Sequence, residues 1–203
     1  MKPYHTEACI TSLEEGLHAE RSGADRVEVC SRLETEGMTP EVELVRDLCE
    51  NLKIPVRVMI RETEDGYAAD EDTVAHMKDH ISVLKQFPID GFVFGLLKGG
   101  AIDEKAMEAL LHEAYPLPVT FHKAFDAIKD PDPAIRWLNG HSQIDCILTS
   151  GNAIKAIDGI NTILQTMKTY RGQTMPGGKI TYQNVDALHQ HLNASWYHGR
   201  KIV

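Results

Sequence analysis

Two Glu-x-Cys pairs, Glu7 with Cys9 and Glu28 with Cys30, open the list of side chains in this chain that could do chemistry. Arg61, His122 and Asp126 follow, and then two small-residue turns, Ser150-Gly151 and Gly177-Gly178. Two carboxylates, a guanidinium and an imidazole form an acid–base and anion-binding set if they meet in one place. Asp126 lies four residues after His122, where it could orient the imidazole or take a salt bridge from Lys123. Glycine turns can present backbone N–H groups to an anion, above all next to a helix N-terminus. The plainer reading of the same charges is a pair of structural ion pairs, Glu28–Arg61 and Glu7–Arg57.

Whether these residues meet depends on the elements that carry them. Short β-rich runs are expected at Tyr4–Cys9, Arg26–Cys30, Val56–Ile60, Gly91–Phe94, Pro118–His122, Asp145–Leu148, Gln173–Met175 and Ser195–Tyr197. Amphipathic helical runs lie between them, at Leu13–Arg21, Pro40–Leu52, Glu71–Phe87, Asp103–Glu113, Pro133–Leu138, Ile154–Tyr170 and Gln183–His191. In the third helix Val74, Met77, Ile81 and Leu84 recur at three and four residues, the helical period. Strands alternating with helices imply a parallel sheet covered by helices. An open doubly wound sheet usually carries a glycine-rich first turn. Here that turn reads Cys9-Ile10-Thr11-Ser12, so the expected fold is an α/β chain closed as a (β/α)8 TIM-type barrel, one domain over residues 1–203. The helix after the last strand is missing, and another subunit could cover that side.

Strand alternation then sorts the side chains. In Arg26-Val27-Glu28-Val29-Cys30 a carboxylate cannot face the dry layer under the helices without a large desolvation cost. The valines are therefore expected to face the helices, with Glu28 and Cys30 turned to the barrel axis. The same logic turns Glu7 and Cys9, then Arg57, Met59 and Arg61, then Thr120 and His122 inward. Cys9, Cys30, Arg61 and His122 fall at the carboxyl ends of their strands, the rim where such barrels place their chemistry. Ser150-Gly151 and Gly177-Gly178 belong to the same rim. Cys49 and Cys146 are expected in the core, with Cys146 pointing toward the helix layer.

Composition excludes several classes. The net charge of 21 − 30 = −9 and the lack of any basic run longer than Arg200-Lys201 argue against nucleic-acid binding. No stretch approaches the ~18 continuous apolar residues of a membrane span. The opening MKPYHTEACI has no apolar signal core, so a cytoplasmic location with four reduced cysteines is expected.

Several segments follow one another in a familiar order: Glu7-x-Cys9, GADRVEVC at 23–30, GMTP at 37–40, Met59-Ile60-Arg61, DGFVFG at 90–95, TFHKAFD at 120–126, ILTSG at 147–151, PGGKI at 176–180 and His198-Gly199. Spanning nearly the whole chain, the set resembles the CutC family of copper homeostasis proteins. The resemblance implies a (β/α)8-type barrel, often dimeric, in the cytoplasm, with a part in copper handling. It places Cys9 and Cys30 at positions proposed for copper, and Glu7, Glu28, Arg61, His122 and Asp126 at the polar rim. One departure follows Arg61, where Glu62-Thr63-Glu64-Asp65-Gly66 replaces the family's Pro-Arg-Gly-Gly and removes basic character.

Two functions follow from these residues. In the first, Cys9 and Cys30 hold Cu(I), because soft thiolates suit that ion, with His122 as a possible third ligand. In the second, the barrel is an enzyme acting on a small anionic or phosphorylated metabolite. There Glu7, Glu28, Arg61, His122 and Asp126 do the chemistry, and Ser150, Gly151, Gly177 and Gly178 hold the anion. A third option is a non-enzymatic homo-oligomer with Trp196 and Tyr197 as interface anchors. His76 and His80 have metal-pair spacing but no surrounding motif, and read as a solvated face.

Overall fold

The computed structural model describes residues 2–203. Among them, eight parallel strands form one sheet: β1 (His5–Ile10), β2 (Arg26–Val29), β3 (Val56–Met59), β4 (Gly91–Phe94), β5 (Val119–Phe121), β6 (Ile144–Thr149), β7 (Gln173–Pro176) and β8 (Trp196–Gly199). Their order in the sheet is β8-β1-β2-β3-β4-β5-β6-β7, so the last strand returns to the first and the sheet curls into a nearly closed TIM-type barrel. Helices alternate with the strands: α1 (Leu13–Arg21), α2 (Val42–Asn51), α3 (Glu71–Leu84), α4 (Glu104–Ala114), α5 (Pro131–Asn139), α6 (Ile160–Thr169) and α7 (Val185–Leu192). No helix is long and apolar enough to cross a membrane.

Local chemistry sets the helix starts. Ser12, Asp70, Asp103 and Asp130 each accept a backbone N–H of the first turn, and Pro131 opens α5 where no N–H is needed. Several ends move by a residue or more from expectation. The sixth helix starts at Ile160 rather than Ile154, because residues 154–159 form turns packed on the β7 end, where Ala156 N–H donates to the Gly178 carbonyl. A small hairpin, Leu97–Lys98 with Ala101–Ile102, and two short 3-10 turns, Leu33–Thr35 and Lys123–Ala127, were not expected. Residues 200–203 form no helix, and Lys201 bridges to Thr181 instead.

Val27, Val29, Val58, Ile60, Phe92, Phe94, Val119 and Phe121 are fully buried in the layer between strands and helices. Parallel strands covered on both faces read as near-continuous apolar runs for this reason. Inside the barrel lie two smaller apolar groups, Cys9, Cys30, Met59 and Val93 on one side and Cys146, Leu148 and Met175 on the other, the latter backed by Trp196. Cys146 therefore points to the axis, not to the helix layer: the pairing of β5 with β6 slips between Val119 and Thr120, opposite Ile144 and Cys146, so the alternation resets and Ile144 and Ile147 both take the outer layer. Tyr197 is fully buried and its hydroxyl accepts the Ala194 N–H, while Arg26 stacks 4.4 Å over the Trp196 ring. Burial withdraws Tyr197 as an interface anchor, while Trp196 stays half-buried.

Candidate functional site

The register of the first strands brings the site together. Cys9 lies beside Glu28 across β1 and β2, and Glu7 lies beside His198 across β1 and β8. All four side chains turn inward, and Cys30, two residues past Glu28, places its Sγ 3.5 Å from that of Cys9. Cys9, Cys30, Glu28 and His198 form the floor of a cavity of about 1020 Å³ at the carboxyl ends of the strands. Both sulfurs are otherwise poorly solvated, with Cys30 donating only a 3.8 Å contact to the Ile10 carbonyl.

His198 is the residue that sequence reasoning missed. Its Nδ1 donates to Glu7 Oε1 at 2.9 Å, and its Nε2 sits 3.4 Å from Glu28 Oε2. The predicted eighth strand stopped at Tyr197, one residue short; carried on, the alternation that turns Trp196 inward turns His198 inward as well. Glu7 is also bound by Arg26 Nε at 2.6 Å. Burial alone would raise the Glu7 pKa, but Arg26 and His198 pull it down to about 2. Glu28, equally buried and facing the Glu7 charge, is pushed up to about 7 despite His198. Burial disfavours the His198 cation, yet the two flanking carboxylates hold its pKa well above the usual histidine value. The Cys9 thiol is raised by its hydrogen bond with Cys30 and by burial. One acceptor is left over: Glu28 Oε1 is buried without a hydrogen-bond partner among the described residues. Cys9, Glu28 and His198 bring one ligand atom each to within 4.8 Å of one another.

The expected ion pairs do not form. Arg57 reaches down the barrel to Asp145, with contacts of 2.8 and 2.6 Å, and to Thr120 and Asp90. Arg61 lines the cavity, but its guanidinium donates to the carbonyls of Thr35, Gly37, Glu64 and Gly66 and lies 5.1 Å from the Tyr67 ring. It clamps two loops instead of facing Glu28, because the acidic 62–66 segment folds its backbone over the strand end.

His122 lines the cavity wall, and its Nδ1 accepts the Ala124 N–H at 3.2 Å. Burial and the nearby Arg61 lower its pKa to about 3, so the ring is neutral. Asp126 does not orient that ring and does not pair with Lys123, which binds Glu36. Its carboxylate instead accepts from Thr149 Oγ1 (2.5 Å), Ser150 N (2.8 Å), Ser150 Oγ (2.8 Å) and Asn152 N (3.0 Å). Gly151 N–H donates to Thr149 Oγ1. The donors of the Ser150-Gly151 turn are thus taken within the chain, those of Ser150 by the Asp126 carboxylate and that of Gly151 by the Thr149 hydroxyl. Gly177 N–H donates to the Thr149 carbonyl. Gly178, at φ +100°, packs where a Cβ would meet the Ser150 Cβ at 2.8 Å, so a side chain there is excluded twice over. Lys179 follows it into the cavity lining. His80, on α3, is half exposed beside Glu62 and away from the cavity.

Comparison with known proteins matches this arrangement to one family. The model of the CutC family matches residues 4–203. The copper homeostasis protein cutC homolog of Homo sapiens is 36% identical over 95% of this chain and 71% of its own length. The homolog from Caenorhabditis elegans is 33% identical over the whole chain and 82% of its own length. A crystal structure of CutC from Streptococcus agalactiae superposes with a TM-score of 0.93 at 27% identity, covering 98% of this chain and all of the other. Phosphoribosyl anthranilate isomerase from Thermococcus kodakaraensis, 17% identical over 96% of this chain and 87% of its own, shares the barrel fold with a TM-score of 0.63. With the family model matching from Tyr4 to the last residue and relatives above 30% identity along nearly all of the chain, the protein belongs to the CutC family.

Proposed function

We propose that this chain binds Cu(I) through Cys9 and Cys30 and serves copper handling in the cytoplasm as a homo-oligomer of a single barrel domain. The observation that carries the reading is the pair of sulfurs 3.5 Å apart on the cavity floor, open to the barrel mouth. Thiolates are soft ligands that suit Cu(I), and two of them suffice for a low-coordinate site. The proton of the Cys9 thiol, held by its hydrogen bond with Cys30 and by burial, leaves when the ion's charge arrives. The names of the human and nematode relatives support a copper role. Anaerobic Cu(I) titration against a competing chelator tests it. Cys9→Ser with Cys30→Ser should lower affinity at least ~100-fold, and equal affinity in parent and variant overturns the site.

A second reading is favoured by cavity size: about 1020 Å³ far exceeds one ion, and Lys179 and Lys201 stand at its edge. In it the barrel turns over a small anionic metabolite, with Glu7, Glu28 and His198 for proton transfer and the Gly177-Gly178 turn beside the anion. Arg61, His122 and Asp126 would shape the wall. Inorganic phosphate soaked to high concentration should then locate at Gly178 and Lys179; a turn that takes up no phosphate ends this reading.

A further inference from the structure

We propose that the Cys9–Cys30 pair is half of a four-donor site, completed by His198 Nε2 and Glu28, that takes a divalent borderline cation of the Zn2+ class. The inference goes beyond the copper reading: it uses the same thiols, adds two ligands and names a different ion.

The distances carry it. A tetrahedral Zn2+ bonds sulfur at about 2.3 Å and nitrogen or oxygen at about 2.0–2.1 Å, which sets ligand sulfurs roughly 3.8 Å apart and an N···O pair roughly 3.4 Å apart. The Sγ–Sγ separation here is 3.5 Å, and His198 Nε2 lies 3.4 Å from Glu28 Oε2. Cys9, Glu28 and His198 already hold their ligand atoms within 4.8 Å of one another; Cys30 stands outside that triangle, 3.5 Å from Cys9, and its sulfur closes in when the ion binds.

The surroundings point the same way. A metal-binding histidine usually gives its other ring nitrogen to a carboxylate, which fixes its orientation. Glu7 does this for His198, and Arg26 holds Glu7 in turn. An internal ion pair alone would be expected to satisfy both oxygens of a buried carboxylate. Glu28 is 2% exposed and its Oε1 is unpartnered among the described residues, on the floor of an open cavity. Four protein donors leave no open coordination position, so the site would hold an ion rather than activate water. The two thiol protons, and that of His198, pass to solvent as the ion enters.

Co2+ serves as the optical probe. The reduced full chain is titrated anaerobically with Co2+, then with Zn2+ in competition. The expected result is a thiolate-to-metal charge-transfer band with the intense visible bands of four-coordinate Co2+. Cys30→Ser should halve the charge-transfer intensity. His198→Ala and Glu28→Gln should weaken Zn2+ binding ~100-fold and ~10-fold, by analogy with ligand and outer-shell losses at other metal sites. Parent affinity and parent spectrum in both variants overturn the proposal. Should either variant fail to fold, X-ray absorption on the Zn2+-loaded parent decides: two sulfurs at ~2.3 Å with two light atoms at ~2.0 Å support the site, and any shell without sulfur sinks it. Cu(I) titration of the same proteins separates the readings. Zn2+ binding without Cu(I) binding removes the copper reading alone, and the reverse removes this one alone.

Discussion

Arg57 and Glu28 both point into the barrel from neighbouring strands and pair with each other in the register, yet their two regions treat polar atoms differently. Toward the amino-terminal end, Arg57 uses its donors on Asp145, Asp90 and Thr120, and Arg26 joins Asp90 to Glu7. Toward the carboxyl end, Glu28 keeps a buried oxygen without a partner, and two thiols face mainly each other. A barrel interior tolerates charge in either way. Saturation marks a group that holds the fold, while an unfilled donor set under a cavity marks a place for something else.

The contrast breaks most visibly at Arg57. Arg57→Met strands the buried Thr120 hydroxyl and frees Asp145, which at 42% exposure water can solvate, so the cost falls below that of a fully buried pair, at about 2–3 kcal/mol. For a chain of this size that is a fall in Tm of about 4–12 °C, read by scanning calorimetry. Metal affinity of the folded variant should match the parent, and a loss of affinity as large as that of His198→Ala would merge the two regions into one.

His122 gives a smaller, pH-dependent effect. Its folded pKa of about 3 lies below the unfolded value of 6.5, so the unfolded chain takes up the proton first. The contribution is fully present above pH 6.5 and is lost as pH falls toward 3. Between pH 7 and pH 5 it amounts to on the order of 2 kcal/mol. Urea unfolding at the two pH values should show His122→Gln losing less stability than the parent, and identical losses would remove His122 from the account.

Glu28→Gln should change least. It removes a carboxylate that burial already penalises, so the expected Tm shift is within about 3 °C in either direction. A collapse of stability would mean that Glu28 belongs to the supporting network after all, and the contrast would fail.

Much of this was legible in the sequence. The alternation at Arg26–Cys30 alone turned Glu28 and Cys30 inward, because one face of the strand is all valine. Strict alternation along β6 turns Cys146 outward, and the register slip opposite Val119 and Thr120 resets it inward. His198 escaped because the predicted strand ended at Tyr197, before the residue that matters. Arg61 and Asp126 line the cavity, but their partners are loop groups: carbonyls of 35–37 and 64–66 for Arg61, amides and hydroxyls of 149–152 for Asp126. No spacing rule reports on such partners, since they depend on how the 62–66 and 149–152 segments fold over the strand ends.

The ring closes between β7 and β8 by contact of main chains, without a ladder among the described residues. A Cβ at Gly199 would lie 2.3 Å from the Ile180 carbonyl oxygen, so the bare backbone at this point fixes the circumference of the cylinder. The imidazole one residue earlier is gripped by Glu7 on the neighbouring stave and borders a join tied, among the described residues, beyond the strand ends by the Thr181–Lys201 bridge and the Tyr182 N–H on the Lys201 carbonyl. A methyl at Gly199 would press on the Ile180 carbonyl at this join, next to the ring that faces the sulfurs. The calibre of the tube is therefore also the setting of its most sensitive part.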